Sequence, residues 1–470
     1  MTETLSRAVP GAEDFDRLSA ALKKGKLLLS EDSRERYKAD ESTRLFAMPW
    51  GVALPADEGE VSQILRWGYE GRFPVVTRGA GTGVAGGAVA LGGGVILSLE
   101  KMDRILEIDR ENLTATLEPG VITAKFQEEV ERSGLFYPPD PASADSCTIG
   151  GNVAVGAGGA RAVRYGTTRD YVLGMRVALA DGEVIRLGGK NVKDATGYHL
   201  LELMIGSEGT LGVITEVTVR LVAKPCRRVS LLMPFSTIGE AAFAVQEAIR
   251  ERILPTFAEF MDDISIRAAE KHLGRPLPHS EKAGAFVFFG LEGETLEELE
   301  EQLVRLDTLG REAGALEVLG AIDEGQQDRL WESRRTLGTA MKALSPEIGK
   351  ADVVVPRGEV AKLVAAVKET SARHAIDIAC FGHAGDGNVH VNILRRSLST
   401  EEWGRILPLA MEEIMGAVAA LGGRPSGEHG IGVLKKEHLA PFVGERAVSL
   451  MRSIKEAFDP RSILNPGKVL

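Results

Sequence analysis

The sequence predicts an α+β protein of two domains. A chain of 470 residues is longer than one hydrophobic core ordinarily needs, so two or three domains are expected. Glycine-rich loops between short strands fill the chain up to Pro225, and beyond it helices alternate with strands. We therefore expect one domain over residues 1–225, completed by a helical C-terminal tail over 438–470, and a second domain over 226–437 in which helices pack on an antiparallel sheet.

Composition and charge exclude several classes of protein. The net charge of −11 argues against a nucleic-acid-binding protein, which needs a basic surface. No apolar run approaches the roughly 20 residues of a membrane-spanning helix, so no transmembrane segment is expected. The N-terminal stretch MTETLSRAVPGAEDFDRL is polar and lacks the apolar core of an export signal, which predicts a cytoplasmic protein.

The cysteines agree with that location. Cys147, Cys226 and Cys380 are far apart in the sequence and form neither a disulfide framework nor a CxxC metal motif. A reducing compartment is the simplest interpretation. Because these are the only 3 cysteines, the chain by itself cannot hold a four-cysteine iron–sulfur cluster.

Residue periodicity predicts the elements of the first domain. A helix is expected over 57–71, where Asp57 and Glu60 have capping-box spacing. An Asp-Gly pair flanked by β-branched residues predicts a β-hairpin over 171–189. The remaining expected elements of this domain are a helix over 121–134 and strands over 73–79, 94–102, 105–120 and 210–225.

The first glycine cluster, over 79–94, contains Gly81, Gly83 and Gly86 in the spacing of the dinucleotide-binding motif GxGxxG. That motif must open a helix whose N-terminus faces the pyrophosphate, and here a second strand follows instead. A nicotinamide-binding Rossmann fold is therefore disfavoured. The loop can still bind phosphate, since successive backbone N–H groups form an anion nest, and Arg78 could add charge.

A second glycine cluster, over 149–159, offers a further run of such N–H groups. Flexible linkers are the alternative interpretation, but linkers rarely lie between apolar strand-like runs. Two nests separated by a helical stretch suit a large cofactor that carries phosphate.

The second domain contains a predicted β-hairpin with two histidines. The stretch FGHAGDGNVHVNIL places His383 and His390 on either side of a Gly-Asp-Gly-Asn turn, within reach of one shared ion. His390 and Asn392 share one strand face. A third ligand, Glu428, followed by His429, stands in the stretch SGEHGIG, and two imidazoles with one carboxylate suit Zn²⁺, Mn²⁺ or Fe²⁺. Two structural histidines are the alternative.

The other expected elements of the second domain are helices over 237–252, 294–314 and 358–374 and a strand over 284–291.

Five stretches in series resemble one family of flavoproteins. The chain from about residue 40 to 470 is similar to FAD-linked oxidases of the vanillyl-alcohol-oxidase type, in the branch of multi-subunit glycolate oxidase, D-lactate dehydrogenase and D-2-hydroxyglutarate dehydrogenase. The resemblance implies an FAD domain of two α+β subdomains and a substrate cap with an antiparallel sheet and helices. It rests on RGAGTG (78–83), PPDPASADSCTIGGNVAVGAGGARAVRYGTTRDYVLG (138–174), GYHLLELMIGSEGTLGVITEVTVRL (197–221), FGHAGDGNVHVNIL (381–394) and SGEHGIG (426–432).

The resemblance implies which residues contact FAD. Relatives with covalent FAD often carry His in the first loop where this chain has Thr82, so non-covalent FAD is expected. The residues implied for the pyrophosphate loop are Arg78, Gly79, Ala80, Gly81, Thr82 and Gly83. Those implied beside the flavin, the adenosine part and the C-terminal contact are Pro139, Asp140, Ser143, Thr148, Gly151, Asn152, Gly158, Tyr165, Glu208, Gly209, Ile214 and Asn465.

The resemblance also implies the remaining site residues. His383, His390 and Glu428 would hold the divalent metal, and His429 would act on the substrate hydroxyl. Arg334 matches the arginine that binds the substrate carboxylate, with a solvated helix charge as the alternative. Lys350 and Asn392 match further substrate contacts of the 2-hydroxyglutarate branch, but position 338 is Gly where that branch has Thr, which favours a shorter acid.

The expected function is therefore oxidation of a small 2-hydroxy acid, D-lactate or glycolate, by hydride transfer to flavin N5. D-2-hydroxyglutarate is the alternative substrate. A non-catalytic flavin electron-transfer subunit and a metal-dependent hydrolase acting on a nucleotide are the alternative functions. The resemblance implies a separate electron acceptor, an iron–sulfur subunit or an electron-transfer flavoprotein, which could hold the protein at a membrane periphery.

Overall fold

The computed structural model describes residues 9–42 and 45–470. Its helices are α1 (Ala12–Ala21), α2 (Glu31–Arg34), α3 (Glu58–Gly71), α4 (Thr123–Arg132), α5 (Ile149–Val155), α6 (Ala162–Tyr165), α7 (Leu200–Met204), α8 (Ile238–Arg250), α9 (Asp263–Leu273), α10 (Leu296–Glu312), α11 (Glu324–Arg335), α12 (Leu337–Leu344), α13 (Val360–His374), α14 (Thr400–Ala420), α15 (Lys436–Val443) and α16 (Glu445–Phe458).

The strands are interspersed with these helices along the described chain. They are β1 (Lys26–Leu28), β2 (Gly51–Leu54), β3 (Val75–Arg78), β4 (Val95–Ser98), β5 (Ile105–Asp109), β6 (Thr114–Leu117), β7 (Leu135–Phe136), β8 (Val172–Ala178), β9 (Val184–Gly188), β10 (Val213–Arg220), β11 (Val222–Ala223), β12 (Arg227–Phe235), β13 (Phe257–Asp262), β14 (Ala285–Gly293), β15 (Leu319–Ala321), β16 (Ile348–Val354), β17 (Asp377–His383) and β18 (Asn388–Leu394).

The chain divides into two compact units. Of the described residues, unit 1 comprises those up to Gly158 together with Thr167–Lys224 and Glu428–Leu470, and unit 2 comprises Gly159–Gly166 and Pro225–Gly427. The tail of unit 1 thus begins at 428, not at the expected 438, because Glu208 of unit 1 bonds the backbone just after it. The short segment 159–166 joins unit 2, since Arg164 and Tyr165 both hydrogen-bond to Glu292.

Unit 1 contains two main sheets. One has the order β1-β2-β4-β3, with β4 parallel to both β2 and β3, and the other is antiparallel in the order β5-β6-β10-β8-β9. The C-terminal tail extends the first sheet, because Val75 of β3 donates to the Ile463 carbonyl at 2.8 Å and accepts from the Asn465 N–H at 2.9 Å. The core beneath this sheet includes Ile64, Leu97 and Leu464, all fully buried.

Unit 2 is built on one seven-stranded antiparallel sheet of order β15-β12-β14-β13-β17-β18-β16. Helix α9 and helices α11 and α12 cover an apolar core that includes Phe286, Phe288 and Met341. The histidine hairpin, β17 and β18, lies inside this sheet between β13 and β16. Both of its strands are therefore fixed by neighbours on either side.

Most of the elements predicted from periodicity are present. The hairpin over 171–189 is confirmed as β8–β9, and the histidine hairpin around FGHAGDGNVHVNIL is confirmed as β17–β18. Asp57 caps α3, as expected, by accepting from the Glu60 N–H at 3.1 Å. The carboxylate of Glu60 does not complete a capping box; it accepts instead from the Lys24 N–H at 2.6 Å and the Ala56 N–H at 2.8 Å.

The two glycine clusters differ in backbone structure. The first cluster, residues 79–94, is irregular backbone between β3 and β4, which confirms that no Rossmann helix follows it. The second cluster, expected to offer a run of backbone N–H groups, is helical over residues 149–155, which form α5. None of the helices in the described part of the chain has the length and apolar character that a membrane span requires.

Candidate functional site: a glycine-lined cavity in unit 1 and a polar sheet face in unit 2

The two hairpin histidines lie on one face of the unit 2 sheet. Phe381 pairs with His390 and His383 pairs with Asn388, so the histidines are diagonal neighbours rather than directly opposed. Their ring centroids are 5.2 Å apart and the rings are nearly perpendicular, at 85°. The turn between them requires glycine at 387, where φ is +88° and an added Cβ would lie 2.0 Å from the Val355 carbonyl oxygen.

The neighbouring strand β16 adds two charged side chains to the same face. The register places Lys350 opposite Asn392 and Asp352 opposite His390. Lys350 is exposed, whereas Asp352 is buried, with 1% of its surface accessible. The predicted substrate residues Lys350 and Asn392 are therefore cross-strand neighbours, a relation that the sequence spacing alone does not reveal.

Asp352 was not among the residues predicted from the sequence. Its Oδ1 lies 3.5 Å from His390 Nδ1 and accepts from the Asn388 side chain at 2.8 Å. Its Oδ2 accepts from the Gly427 N–H at 3.1 Å and from the Ser426 hydroxyl at 3.2 Å. A single acidic residue within the apolar strand ADVVVP was the available signal, since buried carboxylates need such partners.

Arg334 approaches this face from the last turn of α11. Its guanidinium lies over the ring of Phe381, 5.0 Å from the ring centroid, and donates to Glu259 Oε2 at 2.7 Å. Its Nε is buried and has no hydrogen-bond partner among the described residues. The predicted alternative of a solvated helix charge does not apply, because only 15% of the side chain is exposed.

Glu259 of β13 contacts two predicted site residues, Arg334 and His383, and no pattern in the sequence pointed to it. It lies opposite His383 in the sheet, and its Oε1 forms a short hydrogen bond with His383 Nδ1. Burial raises the pKa of Glu259, but the charges of His383 and Arg334 outweigh burial and hold that pKa below its usual range.

Unit 1 contains a cavity of about 400 Å³ that is lined largely by glycine and small residues. Thirteen of the residues implied for FAD line it, together with Glu428 and His429. The thirteen are Gly79, Ala80, Gly81, Thr82, Gly83, Ser143, Thr148, Gly151, Asn152, Gly158, Glu208, Gly209 and Ile214. Lining residues that the sequence did not single out include Pro141, Ser207 and Gly212.

The first glycine loop approaches its supporting arginine closely. Gly81 has φ of +80°, and an added Cβ would lie 2.0 Å from the guanidinium of Arg78. Arg78 is buried and donates to the Ala39 carbonyl at 2.8 Å, so it packs beneath the loop and is not part of the cavity wall. Burial lowers the pKa of the Arg78 guanidinium.

Helix α5 forms another part of the cavity wall. Thr148 caps it by accepting from the Gly151 N–H at 3.3 Å. Glycine at 150 permits close packing, because an added Cβ would lie 2.4 Å from Pro119 Cβ. Capping and packing therefore make a helix from a stretch whose glycines have low intrinsic helix propensity.

Four other residues implied for FAD do not line the cavity. The Pro139 carbonyl accepts from the Gln127 side chain at 2.8 Å, and Asp140 directly precedes the lining residue Pro141. Tyr165 belongs to unit 2, where its hydroxyl donates to Glu292 Oε2 at 2.7 Å. Asn465 is buried behind the wall and donates to the carbonyls of Glu208 and Gly87 at 2.6 and 3.1 Å.

Glu428 and His429 stand at the edge of this cavity. His429 Nε2 lies 3.8 Å from Glu428 Oε1. The carboxylate of Glu428 packs on Gly158, where an added Cβ would lie 2.8 Å from Glu428 Oε2. A glycine at 158 is thus required for the position of this acid.

The loop that carries Glu428 and His429 is anchored by Glu208. The two carboxylate oxygens of Glu208 accept from the N–H groups of Ile431 and Gly432 at 2.7 and 2.8 Å. Burial raises the pKa of Glu208, against the effect of these two N–H groups. The resemblance implied a contact with the adenosine part of FAD for Glu208, and in the structure Glu208 both lines the cavity and holds this loop with its carboxylate.

Replacing Glu208 by Ala is expected to loosen the loop, because one buried and one part-buried N–H group lose their acceptors, at about 1–3 kcal/mol for the buried one. Hydrogen–deuterium exchange of a peptide spanning 426–434 should then become about tenfold faster or more. Glu118→Ala is the matched control, since Glu118 is a buried carboxylate of unit 1 that pairs with Arg104 instead. Equal exchange of this peptide in wild type and Glu208→Ala would contradict the anchoring role.

Comparison with known proteins identifies the family. Residues 224–469 match the family of FAD linked oxidases, C-terminal domain, and residues 49–188 match an FAD binding domain. The chain is 40% identical to glycolate oxidase subunit GlcD of Bacillus subtilis, over 98% of this chain and 95% of that protein. It is 36% identical to a D-lactate dehydrogenase of Anaerostipes hadrus, over 94% of each chain.

Other matches agree on the fold. A D-2-hydroxyglutarate dehydrogenase of Stutzerimonas stutzeri is 32% identical, over 97% of this chain and 98% of that protein. The crystal structure of p-cresol methylhydroxylase with substrate bound superposes with a TM-score of 0.80 at 18% identity, over 98% of this chain and 97% of that one. That likeness confirms the predicted two-domain flavoprotein fold of mixed helices and sheets. This chain therefore belongs to the FAD-linked oxidases and is an FAD-linked oxidoreductase of the type that includes glycolate oxidase subunit GlcD, D-lactate dehydrogenase and D-2-hydroxyglutarate dehydrogenase.

Proposed function

We propose that this protein oxidises a small 2-hydroxy acid, D-lactate or glycolate, to the 2-oxo acid with non-covalent FAD and a divalent metal ion. The observation that carries the proposal is the polar face of the unit 2 sheet. A buried arginine with an unpartnered Nε lies on the same face as two imidazoles, each beside a buried carboxylate. Arg334 would bind the carboxylate of a 2-hydroxy acid, and a metal ion held by the two imidazoles would act as a Lewis acid on its hydroxyl group.

The chemistry of the residues in each unit supports both groups. Loop 79–83 and α5 supply a cavity wall whose backbone is open to a phosphate-bearing cofactor. Thr82 stands where relatives with covalent FAD carry His, which supports a non-covalent cofactor. His383 and His390 of unit 2 and Glu428 of unit 1 are the proposed metal ligands, and this donor set suits Zn²⁺, Mn²⁺ or Fe²⁺. When bound, FAD accepts the hydride from the substrate carbon and the metal ion lowers the pKa of the substrate hydroxyl.

The side chains of the protein bind the acid and take its proton. Arg334 binds the substrate carboxylate with its planar guanidinium, already held in place by Glu259 and Phe381. The imidazole of His429 accepts the hydroxyl proton as general base. Asn392 and Lys350, which are paired across β18 and β16, provide a donor and a cation for the remaining polar atoms of the substrate.

Substrate length depends on the space beyond these contacts. Gly338 at the start of α12 has no side chain, and an added Cβ there would meet nothing within 4 Å. The protein therefore offers a second substrate carboxylate no threonine hydroxyl at this position, where the 2-hydroxyglutarate branch has one. Lys350 matches a substrate contact of the 2-hydroxyglutarate branch, and this match favours D-2-hydroxyglutarate as the second candidate substrate.

We also propose a separate electron acceptor. One relative is named as a subunit, and the described cysteines, two of them buried, are too few for a four-cysteine cluster. An iron–sulfur subunit or an electron-transfer flavoprotein would reoxidise the flavin. Binding to such a partner is the proposed route to a peripheral position at a membrane from the cytoplasm.

The test is anaerobic reduction of the bound flavin. The purified, metal-replete protein is mixed separately with glycolate, D-lactate, L-lactate and D-2-hydroxyglutarate, and its visible spectrum is recorded. We expect D-lactate or glycolate to bleach the oxidised-flavin band within seconds and L-lactate to be far slower. Bleaching by D-2-hydroxyglutarate alone would assign the second candidate, and no bleaching by any acid would refute hydroxy-acid oxidation.

A further inference from the structure

Glu259 joins two of the proposed functional groups through one buried carboxylate. It is 1% exposed and lies on β13, directly opposite His383 on β17. Oε1 bonds His383 Nδ1, and Oε2 accepts from Arg334 at 2.7 Å. A single carboxylate thus links a proposed metal ligand to the proposed substrate arginine.

The chemistry of the first contact concerns the tautomer of His383. A carboxylate that accepts from Nδ1 keeps the proton on that nitrogen, so Nε2 is the atom that would bind a metal. Such carboxylate–histidine pairs also fix the plane of the ring and raise its basicity as a ligand. Asp352 stands in a comparable position near Nδ1 of His390, at 3.5 Å.

The second contact concerns the orientation of Arg334. Its guanidinium is held between the ring of Phe381 on one side and Oε2 of Glu259 on another. One guanidinium nitrogen is thus committed to the protein, and the buried Nε lacks a partner among the described residues. A guanidinium fixed in this way loses less conformational entropy when it binds a carboxylate.

We propose that Glu259 is a shared positioning residue, which orients His383 for the metal ion and Arg334 for the substrate carboxylate. This inference rests on the proposed function. It follows from the number of acceptors, because a carboxylate has two oxygens and serves both partners at once. A glutamine of the same shape has one acceptor oxygen, so it can serve His383 or Arg334 but turns an NH₂ group toward the other.

The test compares Glu259→Gln with Asp262→Asn in the full-length, FAD-loaded protein. Asp262 is the matched control, since it lies on the same strand, is equally buried and pairs with Lys368. After the metal is stripped, Zn²⁺ affinity is measured by titration calorimetry, and KM is measured for the acid that bleaches the flavin. We expect Glu259→Gln to weaken Zn²⁺ binding about 10- to 100-fold and to raise KM. Asp262→Asn should lower thermal stability and change neither quantity.

The outcomes separate this inference from the proposed function. Wild type that binds none of Zn²⁺, Mn²⁺ and Fe²⁺ would overturn the metal-dependent function and the role of Glu259 with it. Wild type that binds Zn²⁺, with Glu259→Gln binding it within about twofold, would overturn the role of Glu259 alone. Glu259→Asp is the second variant if Glu259→Gln fails to fold; it keeps both oxygens but cannot reach both partners, so it too should weaken Zn²⁺ binding.

Discussion

Replacing Arg334 by Lys is expected to lower kcat/KM for the 2-hydroxy acid about 10- to 100-fold. A hydrogen bond to a charged group is worth about 1.5–3 kcal/mol, and a lysine ammonium cannot bind a carboxylate with two parallel N–H groups. The single ammonium group of the lysine would also be shared between the substrate carboxylate and Glu259, to which Arg334 now donates at 2.7 Å. Anaerobic stopped-flow reduction of the flavin over a range of acid concentrations measures the effect.

Arg335 provides the control for this change. It is the next residue of α11, and 58% of its side chain is exposed as it pairs with Asp328. Arg335→Lys should leave the flavin reduction rate within about twofold of wild type, as is usual for exposed pairs. Equal kinetics for Arg334→Lys and wild type would show that Arg334 does not bind the substrate carboxylate.

Replacing His390 by Ala is expected to lower metal content and flavin reduction rate together, the rate by roughly 1000-fold or more. Lewis-acid stabilisation by a metal ion contributes several kcal/mol to such reactions. FAD content should stay at the wild-type level, because the cavity of about 400 Å³ is lined by residues of unit 1 alone and His390 belongs to unit 2. Elemental analysis, the flavin spectrum and the anaerobic rate are measured on the same sample.

The control for His390→Ala is His374→Ala. His374 ends α13, outside the sheet, and its Nε2 pairs with Glu413 at 3.0 Å instead of with a residue of the polar sheet face. This variant should keep its metal and its rate. A His390→Ala protein that is fully active without metal would refute the role of the hairpin as a metal site.

Local patterns predicted those parts of the site that depend on short stretches of chain. The alternation in VHVNIL and the turn residues before it were enough to place His390 and Asn392 on one strand face. In the same way, the failure of GxGxxG to open a helix followed from the strand-like residues behind the loop. These predictions rest on turn chemistry and residue period, which are properties of short stretches of chain.

Long-range pairing explains what the sequence did not reveal. Glu259 meets His383 only because β13 and β17 pair in one register, although the two residues are 124 positions apart. Nothing in the stretch FAEFMD marks that glutamate beyond its apolar neighbours. The role of Glu208 likewise depends on the N–H groups of Ile431 and Gly432, which are 223 and 224 positions further along the chain.

Helix α5 shows a different limitation. Its glycines at 150 and 151 predict a loop by intrinsic propensity, and the Thr148 cap and the close contact with Pro119 reverse that preference. One local signal was available, because Thr148 stands three residues before Gly151, which is the spacing of a helix N-cap. The close packing at Gly150 could not be predicted from local sequence, because it depends on Pro119, which is distant from α5 in the sequence.

The discontinuity of unit 1 has a consequence for the order in which the newly made chain folds on the ribosome. Unit 2 can close its sheet once residue 427 has been synthesised, whereas β3 of unit 1 waits for Ile463 and Asn465, which are made after all of unit 2. Domains usually complete folding from the N-terminus onward during synthesis. Here the N-terminal unit finishes second, so its cofactor cavity, whose wall includes His429, is complete only after unit 2 has been made. Under the proposed function, flavin would therefore be loaded late in synthesis, and a chain that stops before residue 463 would lack the tail that bonds Val75 of β3.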